Sequence, residues 1–457
     1  MFNDVVDRIN ARLSLGIHDQ VGLPLGRTFL KNRVHENSEI SSETGSSNSS
    51  TSEGSDSNEG NYNFNHNSEQ AKNSEQSPFA VDEPLVNWRK YKTTVCRFTI
   101  DHQLESQSLT TQFLPITEGS TNYKIMVGTN LAQNNKLYIL TYRIPNDYHE
   151  YETFKFVDKK TVKISYKLEH TSEINRARID ESNPDIFATK AGNGMVYIYS
   201  ISRHNNNPVL TCRGHTKEGY GISWNSHRRG RLLSGSYDDR ICIWDISHAE
   251  SREIDPIHRI DSHSGIVEDV QWNPNNTNEF ASVGDDRKLM IFDERTCKPE
   301  ISIEAHKKEV NSVAYHKKNT NFLITGSSDT TIRLWDLRRI KKHLHSFEAH
   351  DNPVYSVQWN PHNVNIFGSS GDDSRFHIWD INKIGVERKG GGLINRPTEL
   401  ILTNFGHKAS IRDFTWCPNL PWTISTVDDN RINQIWGVKK KIIYQDECLL
   451  DDEKIEI

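Results

Sequence analysis

The feature that most constrains the fold of this chain is a unit of constant length that recurs six times. Each unit begins with a histidine, carries an aspartate or asparagine 23 residues later, and ends on an aromatic residue six residues after that. The histidines are His170, His215, His263, His306, His350 and His407; the Asx residues are Asn193, Asp238, Asp286, Asp329, Asp373 and Asn430; the aromatic residues are Tyr199, Trp244, Phe292, Trp335, Trp379 and Trp436. The connecting segments vary in length, so a rigid supersecondary unit recurs while loops absorb the differences.

Each unit contains alternating apolar and polar residues that indicate three antiparallel strands joined by tight turns. After His263 the strands read VEDVQWNP, EFASVGDD and KLMIFDE, and the connector IHRID supplies a fourth. From one histidine to the next the chain runs 43 to 57 residues. Four-stranded units of this length are typical of β-propeller blades.

A seventh unit without the histidine or the Trp-Asp pair lies within residues 106–168, where SLTTQFLP, YKIMVGTN and KLYILTYRI are strand patterns. We therefore predict an all-β, seven-bladed propeller with an N-terminal helix and a disordered N-terminal tail. The ring is expected to close by pairing the two chain ends, because closure removes exposed sheet edges. Residues 145–160 are predicted to be an insertion in the first blade.

The chain is predicted to contain five segments. They are an N-terminal segment of unassigned role at 1–35, a Ser/Asn/Glu-rich tail at 36–83, a helix that packs on the propeller at 84–104, the propeller at 105–445 and an acidic tail at 446–457. Residues 36–83 hold ten acidic residues and one lysine, a composition that predicts disorder because it buries too little apolar surface to offset chain entropy. No apolar run is long enough to span a bilayer, which predicts a soluble, intracellular protein. We also expect the propeller itself to be monomeric.

Composition and motifs exclude several function classes. Residues 84–457 carry a net charge of about +1, which argues against bulk or sequence-specific DNA binding. The six cysteines form no CxxC pair, so neither a zinc site nor a disulfide framework is predicted, and no phosphate-binding or dinucleotide-binding motif indicates a cofactor.

A second set of residues resembles a hydrolytic triad but is better explained as structural. His215, Ser234, Asp238 and Trp244 recur in most units, and an enzyme needs one such site whereas a scaffold needs one per blade. In WD-repeat proteins, which these units resemble, this tetrad forms a hydrogen-bond network. We assign the same role to His306, Asp329 and Trp335 and to His350, Asp373 and Trp379, and we predict that the chain is not an enzyme.

The best indication of a binding site comes from the positions three and five residues after each histidine. These positions point the same way along a strand and rim the central opening of a propeller. They are Glu173 and Asn175, Glu218 and Tyr220, Ile266 and Glu268, Glu309 and Asn311, Pro353 and Tyr355, and Ser410 and Arg412. An acidic funnel with aromatic walls would accept Lys or Arg side chains of an extended peptide.

The chain resembles one branch of WD-repeat proteins, the retinoblastoma-associated, MSI-type histone chaperones, over residues 85–437. The resemblance rests on EINRARI (173–179), GHTKEGYGISWN (214–225), RLLSGSYDDRICIWDIS (231–247), GIVEDVQW (265–272), DDRKLMIFDER (285–295), LHSFEAHDNPVYSVQWNPHN (344–363), WDINKIG (379–385) and PNLPWTIS (418–425). Members of this family are subunits of histone acetyltransferase, deacetylase, Polycomb and chromatin-assembly complexes.

The resemblance implies two histone-binding surfaces. On the channel face, the positions that match those holding the tail of histone 3 are Glu105, Glu173, Asn175, Glu218, Tyr220, Glu268, Asn311, Tyr355 and Asp429. On the edge, a groove between helix 85–101 and loop 385–399 would hold the first helix of histone 4, with contacts from Trp88, Val95, Phe98, Ile384, Pro397 and Leu400. The sequence departs from the family at Pro353, which replaces a glutamate, at Ser106 and Gln107, which replace Trp-Pro, and in the loop, which carries bases instead of acids.

We therefore expect a non-enzymatic scaffold that binds histones 3 and 4 within chromatin-modifying or chromatin-assembly complexes, in the nucleus and also in the cytoplasm. An alternative is a substrate receptor of a cullin–RING ubiquitin ligase, because WDLR at 335–338 matches the Trp-Asp-x-Arg pattern of such receptors. A third hypothesis, an RNA-processing propeller, requires a basic face with exposed aromatic residues, whereas the predicted rim is acidic.

Overall fold

The computed structural model describes residues 83–116, 119–144, 155–156, 162–386 and 396–443. The predicted segments 1–35 and 446–457, and all of 36–83 except Glu83, lie outside the described residues, as does most of the predicted insertion at 145–160. No helix within the described ranges combines the length and apolar character that a bilayer crossing requires.

Seven sheets form the described fold, and each is one blade of a β-propeller. From the innermost strand outward, the first blade contains β2 (Thr111–Phe113), β3 (Asn122–Gly128), β4 (Asn135–Arg143) and β6 (Val162–His170). The second contains β7 (Ile174–Ile179), β8 (Ile186–Ala191), β9 (Val196–Ser200), β10 (Leu210–Cys212) and β14 (Glu253–Ile254). The third contains β11 (Ile222–Trp224), β12 (Arg231–Gly235), β13 (Ile241–Asp245) and β15 (His258–Ile260).

The remaining blades follow the same order. The fourth contains β16 (Val267–Trp272), β17 (Glu279–Gly284), β18 (Lys288–Asp293) and β19 (Lys298–Glu304), and the fifth β20 (Val310–Tyr315), β21 (Phe322–Ser327), β22 (Thr331–Asp336) and β23 (His345–Glu348). The sixth contains β24 (Val354–Trp359), β25 (Ile366–Gly371), β26 (Phe376–Asp380) and β27 (Leu400–Asn404). The seventh contains β28 (Ile411–Trp416), β29 (Thr423–Asp428), β30 (Ile432–Val438), β1 (Cys96–Gln103) and β5 (Lys155–Phe156). Short 3₁₀ helices follow at Leu337–Arg339 and Ile381–Lys383, and α-helices are α1 (Glu83–Val95) and α2 (Lys440–Ile443).

The two ends of the described chain meet in the seventh blade. Strand β1 pairs antiparallel with β30, from Cys96 opposite Val438 to Gln103 opposite Ile432. This pairing confirms the predicted ring closure, in which the first strand of the propeller satisfies the backbone groups that the last hairpin would otherwise expose.

The N-terminal helix is shorter than predicted. It ends at Val95, and residues 96–103, which we assigned to the helix, form β1 instead. Two physical reasons favour the strand: β-branched residues at 93–95 weaken the last helical turn, and Phe98 and Ile100 become fully buried when they pair against β30.

Packing between blades explains why the aromatic residue of the third strand recurs. Trp379 of the sixth blade lies in one cluster with Phe347 of the fifth, at a ring-centroid distance of 5.3 Å, and it stacks on Phe367 of its own blade at 6.0 Å. Trp379 is fully buried. Each blade therefore buries its faces only against its neighbours, as predicted for a repeat architecture.

The structural hydrogen-bond network is complete in two blades. In the fifth, His306 bonds Asp329 through Nδ1 at 3.1 Å and Thr325 through Nε2 at 2.7 Å, and Trp335 donates to the same threonine at 2.9 Å. The sixth blade repeats this arrangement with His350, Asp373, Ser369 and Trp379. Burial lowers the pKa of His306, and although burial opposes it, the hydrogen bond from His306 lowers the pKa of Asp329.

Three blades depart from the predicted network. His215 bonds Asp238 at 3.1 Å, but its Nε2 has no partner, Trp244 donates to the carbonyl of Arg213, and Ser234 bonds only the carbonyl of Gly235. His407 bonds Asp428 at 2.7 Å instead of Asn430. His170 bonds Ser172 and Thr189, while Asn193 donates to Tyr197. Neither Asn193 nor Asn430 forms a hydrogen bond with the histidine of its own blade among these contacts.

Substitution of Ser369 by alanine is expected to destabilise the protein by about 1–3 kcal/mol, because it leaves buried groups of His350 and Trp379 without a partner. Ser234→Ala is the matched control, since the Ser234 hydroxyl makes only one long hydrogen bond of 3.4 Å. Chemical denaturation of both variants measures the difference, and equal losses would contradict a network role for Ser369.

Candidate functional site

One mouth of the propeller is built from paired positions with a fixed separation of 17 residues. The first member is the residue five places after each histidine, on the innermost strand or, for Tyr220, just before it. The second member precedes the Asx residue in the turn between the second and third strands. Asn311 donates to Ser328 at 3.1 Å, Tyr355 to Asp372 at 3.0 Å and Arg412 to Asp429 at 2.8 Å, and the rings of Tyr220 and Tyr237 lie 5.9 Å apart. In these four blades the hairpin thus places two side chains side by side, whereas the second blade has Gly192 at the second position.

The fourth blade breaks this complementary pattern with two acids, Glu268 and Asp285. Burial, Asp285 and Asp269 raise the pKa of Glu268 to about 8, against opposing effects of Arg176 and a hydrogen bond from Tyr237. Burial and neighbouring acids also raise the pKa of Asp285. Like charges at close range resist simultaneous ionisation, so a partner's cation would stabilise this pair beyond the effect of Arg176.

These side chains surround a cavity of about 290 Å³. Its lining consists of Gln107, Leu109, Arg176, Tyr220, Tyr237, Glu268, Asn311, Tyr355 and Arg412. Three tyrosines and a carboxyl group therefore converge on one space, and two arginines bound it. Arg412 lies over the ring of Tyr355 at 4.7 Å, so the mouth already contains one cation–π contact.

Six of the predicted channel-face residues lie in or beside this cavity. Tyr220, Glu268, Asn311 and Tyr355 line it. Asn175 is buried beside it and donates to Glu218 at 2.9 Å. The structure thus brings residues from the second to the sixth blades to one face, as the repeat spacing predicted.

The other three predicted channel-face residues have partners of their own. Asp429 accepts two hydrogen bonds from Arg412 and one from Gln107, so Arg412 balances its charge. Glu105 accepts from Tyr138 at 2.6 Å and pairs with Lys136 at 3.1 Å; these contacts lower the pKa of Glu105. Glu173 accepts from Ser172 at 2.8 Å. Within the described part of the chain, Glu173, Glu218 and Glu268 form no ion pair with lysine or arginine.

Sequence reasoning missed Tyr237, Arg176 and the clamp between Arg412 and Asp429. The 17-residue separation would have located Tyr237 and the clamp, because it follows from the same repeat that located the blades. The position of Arg176 does not follow from the 17-residue separation. Arg176 lies on β7 and lines the cavity, and its guanidinium donates to Asp413 at 2.9 Å.

The residues predicted for the edge groove lie elsewhere than expected. Trp88 and Val95 belong to one core cluster, Phe98 to a second, and Ile384 and Leu400 to a third. All five are at least nine-tenths buried, and only Pro397 is half-buried. Because these side chains form the core, a partner helix could not contact them on the described surface. Residues 387–395 of the predicted loop lie outside the described residues.

A second cavity, of about 320 Å³, opens among the far ends of the innermost strands. Its tryptophans serve the fold: Trp224 donates to the carbonyl of Arg178, Trp359 to that of Ala314 and Trp416 to that of Gln358. Its arginines, Arg176 and Arg178, both pair with buried Asp413. The charged groups of this cavity balance one another, which makes the acidic mouth the better candidate site.

A closed seven-bladed ring of mainly antiparallel sheets defines the class of protein as a β-propeller. Four segments match the family model "WD domain, G-beta repeat", at residues 206–245, 254–293, 297–336 and 341–380. Each match ends on the aspartate that follows the aromatic residue of the third strand.

The four matched segments are thus WD40 repeats within a seven-bladed β-propeller. Propellers of this kind generally act as non-enzymatic scaffolds for protein–protein interaction. The unmatched seventh blade departs from the pattern where Asn430 replaces the aspartate and Gly437 follows the tryptophan.

Proposed function

We propose that this chain is a non-enzymatic histone-binding scaffold subunit of chromatin-modifying or chromatin-assembly complexes, and that its mouth holds the extended basic tail of histone 3. The observation that carries the proposal is the acid pair Glu268 and Asp285, which no lysine or arginine among the described residues neutralises through an ion pair. A cationic side chain of a partner supplies the missing charge and restores full ionisation of Glu268.

The surroundings of this pair suit a lysine or arginine. The rings of Tyr220 and Tyr237 flank Glu268 in the same cavity and offer π faces to a cation. Glu218 lies next to this wall, and its carboxylate accepts a hydrogen bond from Asn175 at 2.9 Å. Since it pairs with no lysine or arginine among the described residues, it is an acceptor for a second cation. An extended peptide presents alternate side chains to one face, which matches a row of acceptors along the mouth.

The proposed partners follow from this chemistry and from the resemblance. The tail of histone 3 binds the mouth, other subunits of the complex bind elsewhere on the propeller, and the protein acts in the nucleus and also in the cytoplasm. Binding of histone 4 at the edge rests on the resemblance alone, because the side chains assigned to it are core residues.

Titration of the full chain with a labelled, unmodified histone 3 tail peptide is expected to show binding that weakens as salt is added, because exposed charge pairs are screened. The matched control is a peptide of the same length in which acetyl-lysine and citrulline replace lysine and arginine. Fluorescence anisotropy measures both. Equal affinity for the charged and neutral peptides, or no binding of either, would refute the proposal.

The ubiquitin-ligase alternative receives no comparable support. Arg338 of the WDLR segment donates to Asp336 of the same segment at 2.6 Å, so its guanidinium is engaged within its own blade. Affinity purification from nuclear extract separates the two functions: recovery of histone-modifying or chromatin-assembly subunits supports the histone role, and recovery of a ligase adaptor without them supports the alternative.

A further inference from the structure

Three metal-ligating side chains meet inside the sixth blade and do not belong to the lining of the mouth cavity. His350, Asp373 and His377, here called the His-Asp-His cluster, each place one ligand atom within 4.8 Å of the others. The rings of His350 and His377 lie 4.2 Å apart at 68°. The side chains of His350 and Asp373 are 1% and 3% exposed, and His377 is 2% exposed.

One nitrogen of the cluster has no hydrogen bond of standard geometry to a described residue. Nδ1 of His377 bonds the hydroxyl of Thr403 at 2.9 Å, whereas its buried Nε2 has no such bond and makes at most a weak contact with the backbone of Ala349. Buried polar atoms of native proteins are nearly always paired, so this atom requires an explanation.

Hydrogen bonds from outside the cluster hold both imidazoles in place. Nε2 of His350 bonds the hydroxyl of Ser369 at 2.8 Å, which also accepts from Trp379 at 2.9 Å. Metal-binding histidines commonly use the second ring nitrogen in this way, since the outer hydrogen bond fixes the orientation and tautomer of the ring. Here Ser369 forms the outer hydrogen bond to His350, and Thr403 forms the outer hydrogen bond to His377.

Charges around the cluster are balanced. Arg375 pairs with Asp351 at 2.5 Å, and the guanidinium of Arg396 lies over the ring of Phe405 at 5.9 Å. The carboxylate of Asp373 is the negative charge within the cluster; it accepts hydrogen bonds from Nδ1 of His350 and from the backbone N–H groups of Asp351 and Arg375.

Equivalent positions of other blades lack the third ligand. Two residues before the aromatic residue, where the sixth blade has His377, the fourth has Met290 and the fifth has Arg333. The third blade has Cys242, whose sulfur lies 3.9 Å from Nδ1 of His215. Among the described residues, only the sixth blade brings three such groups within reach of one ion.

We propose that the His-Asp-His cluster binds a divalent transition-metal ion such as Zn²⁺ through Nδ1 of His350, a carboxylate oxygen of Asp373 and Nε2 of His377. The ion would replace the structural hydrogen bond between His350 and Asp373 and bridge the same two groups. Nitrogen and oxygen ligands suit Zn²⁺ and Co²⁺, and the fourth tetrahedral position is left for water. Ligand atoms about 2.0–2.1 Å from such an ion lie about 3.4 Å apart. Because the ligand atoms lie within 4.8 Å of one another, the widest pair has to close by at most about 1.4 Å, a shift within the range of side-chain rotation.

The test is metal content and ligand identity. The full chain is loaded with Co²⁺ or Zn²⁺, and weakly held ion is removed by gel filtration. We expect about one ion per chain with the visible absorption of tetrahedral Co²⁺. His377→Gln and Asp373→Asn are expected to lose the ion, whereas His248→Gln, an exposed histidine elsewhere, is expected to keep it.

Zinc X-ray absorption of the wild-type chain makes the test independent of variant folding. Its spectrum is expected to show scattering from two imidazoles. A wild-type chain that retains no ion, a spectrum with fewer than two imidazoles, or full retention by a folded His377→Gln variant would each overturn the proposal. None of these results depends on whether the mouth binds a histone.

Discussion

Replacement of Glu173, Glu218 and Glu268 by lysine is expected to weaken binding of a basic peptide by about 100-fold or more. These carboxylates form no internal ion pair with lysine or arginine within the described residues, and a partner is proposed to satisfy them. If at least two of the three carboxylates make charge-assisted hydrogen bonds to the peptide, their loss costs about 3 kcal/mol, at roughly 1.5 kcal/mol each. Because each 1.4 kcal/mol changes affinity about tenfold, the affinity falls by about 100-fold or more. Isothermal titration calorimetry with the histone 3 tail peptide measures the change.

A matched variant separates the mouth from general electrostatics. Glu250, Glu300 and Glu348 are exposed and lie in outer strands or connectors, and their replacement by lysine changes net charge by the same amount. We expect at most a small, salt-dependent loss of affinity for this variant. Unchanged affinity in the mouth variant, or equal losses in both variants, would show that the mouth carboxylates do not hold the peptide.

The fold was predictable because the signals that specify it are local. A blade is a set of hairpins, and strand alternation and turn residues at fixed offsets determine each hairpin. The same regularity predicted that the first members of the mouth pairs would share one face, as Tyr220, Glu268 and Tyr355 do. Ring closure by β1 and β30 was predictable from the need to cover sheet edges.

What the repeat could not predict was how side chains pair once the backbone has brought them together. The resemblance assigned Asp429 to the surface that binds a partner, but in the structure Nε and Nη2 of Arg412 both donate hydrogen bonds to its carboxylate. His407 selects Asp428 instead of Asn430, although only the latter lies at the repeat spacing. These choices depend on the reach of particular side chains and on the charges beside them, which position in a repeat does not encode.

The edge groove shows a second limit, because hydrophobic side chains suit a core and a groove equally well. Trp88 and Phe98 match positions that the resemblance assigned to a partner, but in the structure they pack among the strands of the first, sixth and seventh blades. Burial depends on which blade covers a side chain, and that information comes from tertiary structure.

Affinity for an arginine-containing peptide is expected to rise about tenfold between pH 7 and pH 9. The pKa of Glu268 is raised to about 8, so about one-tenth of the free protein has this carboxylate ionised at pH 7 and about nine-tenths at pH 9. A cation binds the ionised form, so affinity rises as pH rises through the pKa of Glu268. Arginine stays charged throughout, because its pKa is above about 12, and blocked peptide ends exclude titration of the terminal groups.

The control for this pH dependence is Glu268→Gln, which keeps the shape of the protonated side chain and cannot ionise. Its affinity is expected to stay near the pH 7 value of the wild type across the same range, so the two proteins should differ most at pH 9. Tyr220 and Tyr237 do not contribute, because burial and the neighbouring acids raise the pKa of both. An equal rise in the variant would assign the titration to another group, and a flat wild-type profile would show that Glu268 does not face the bound cation.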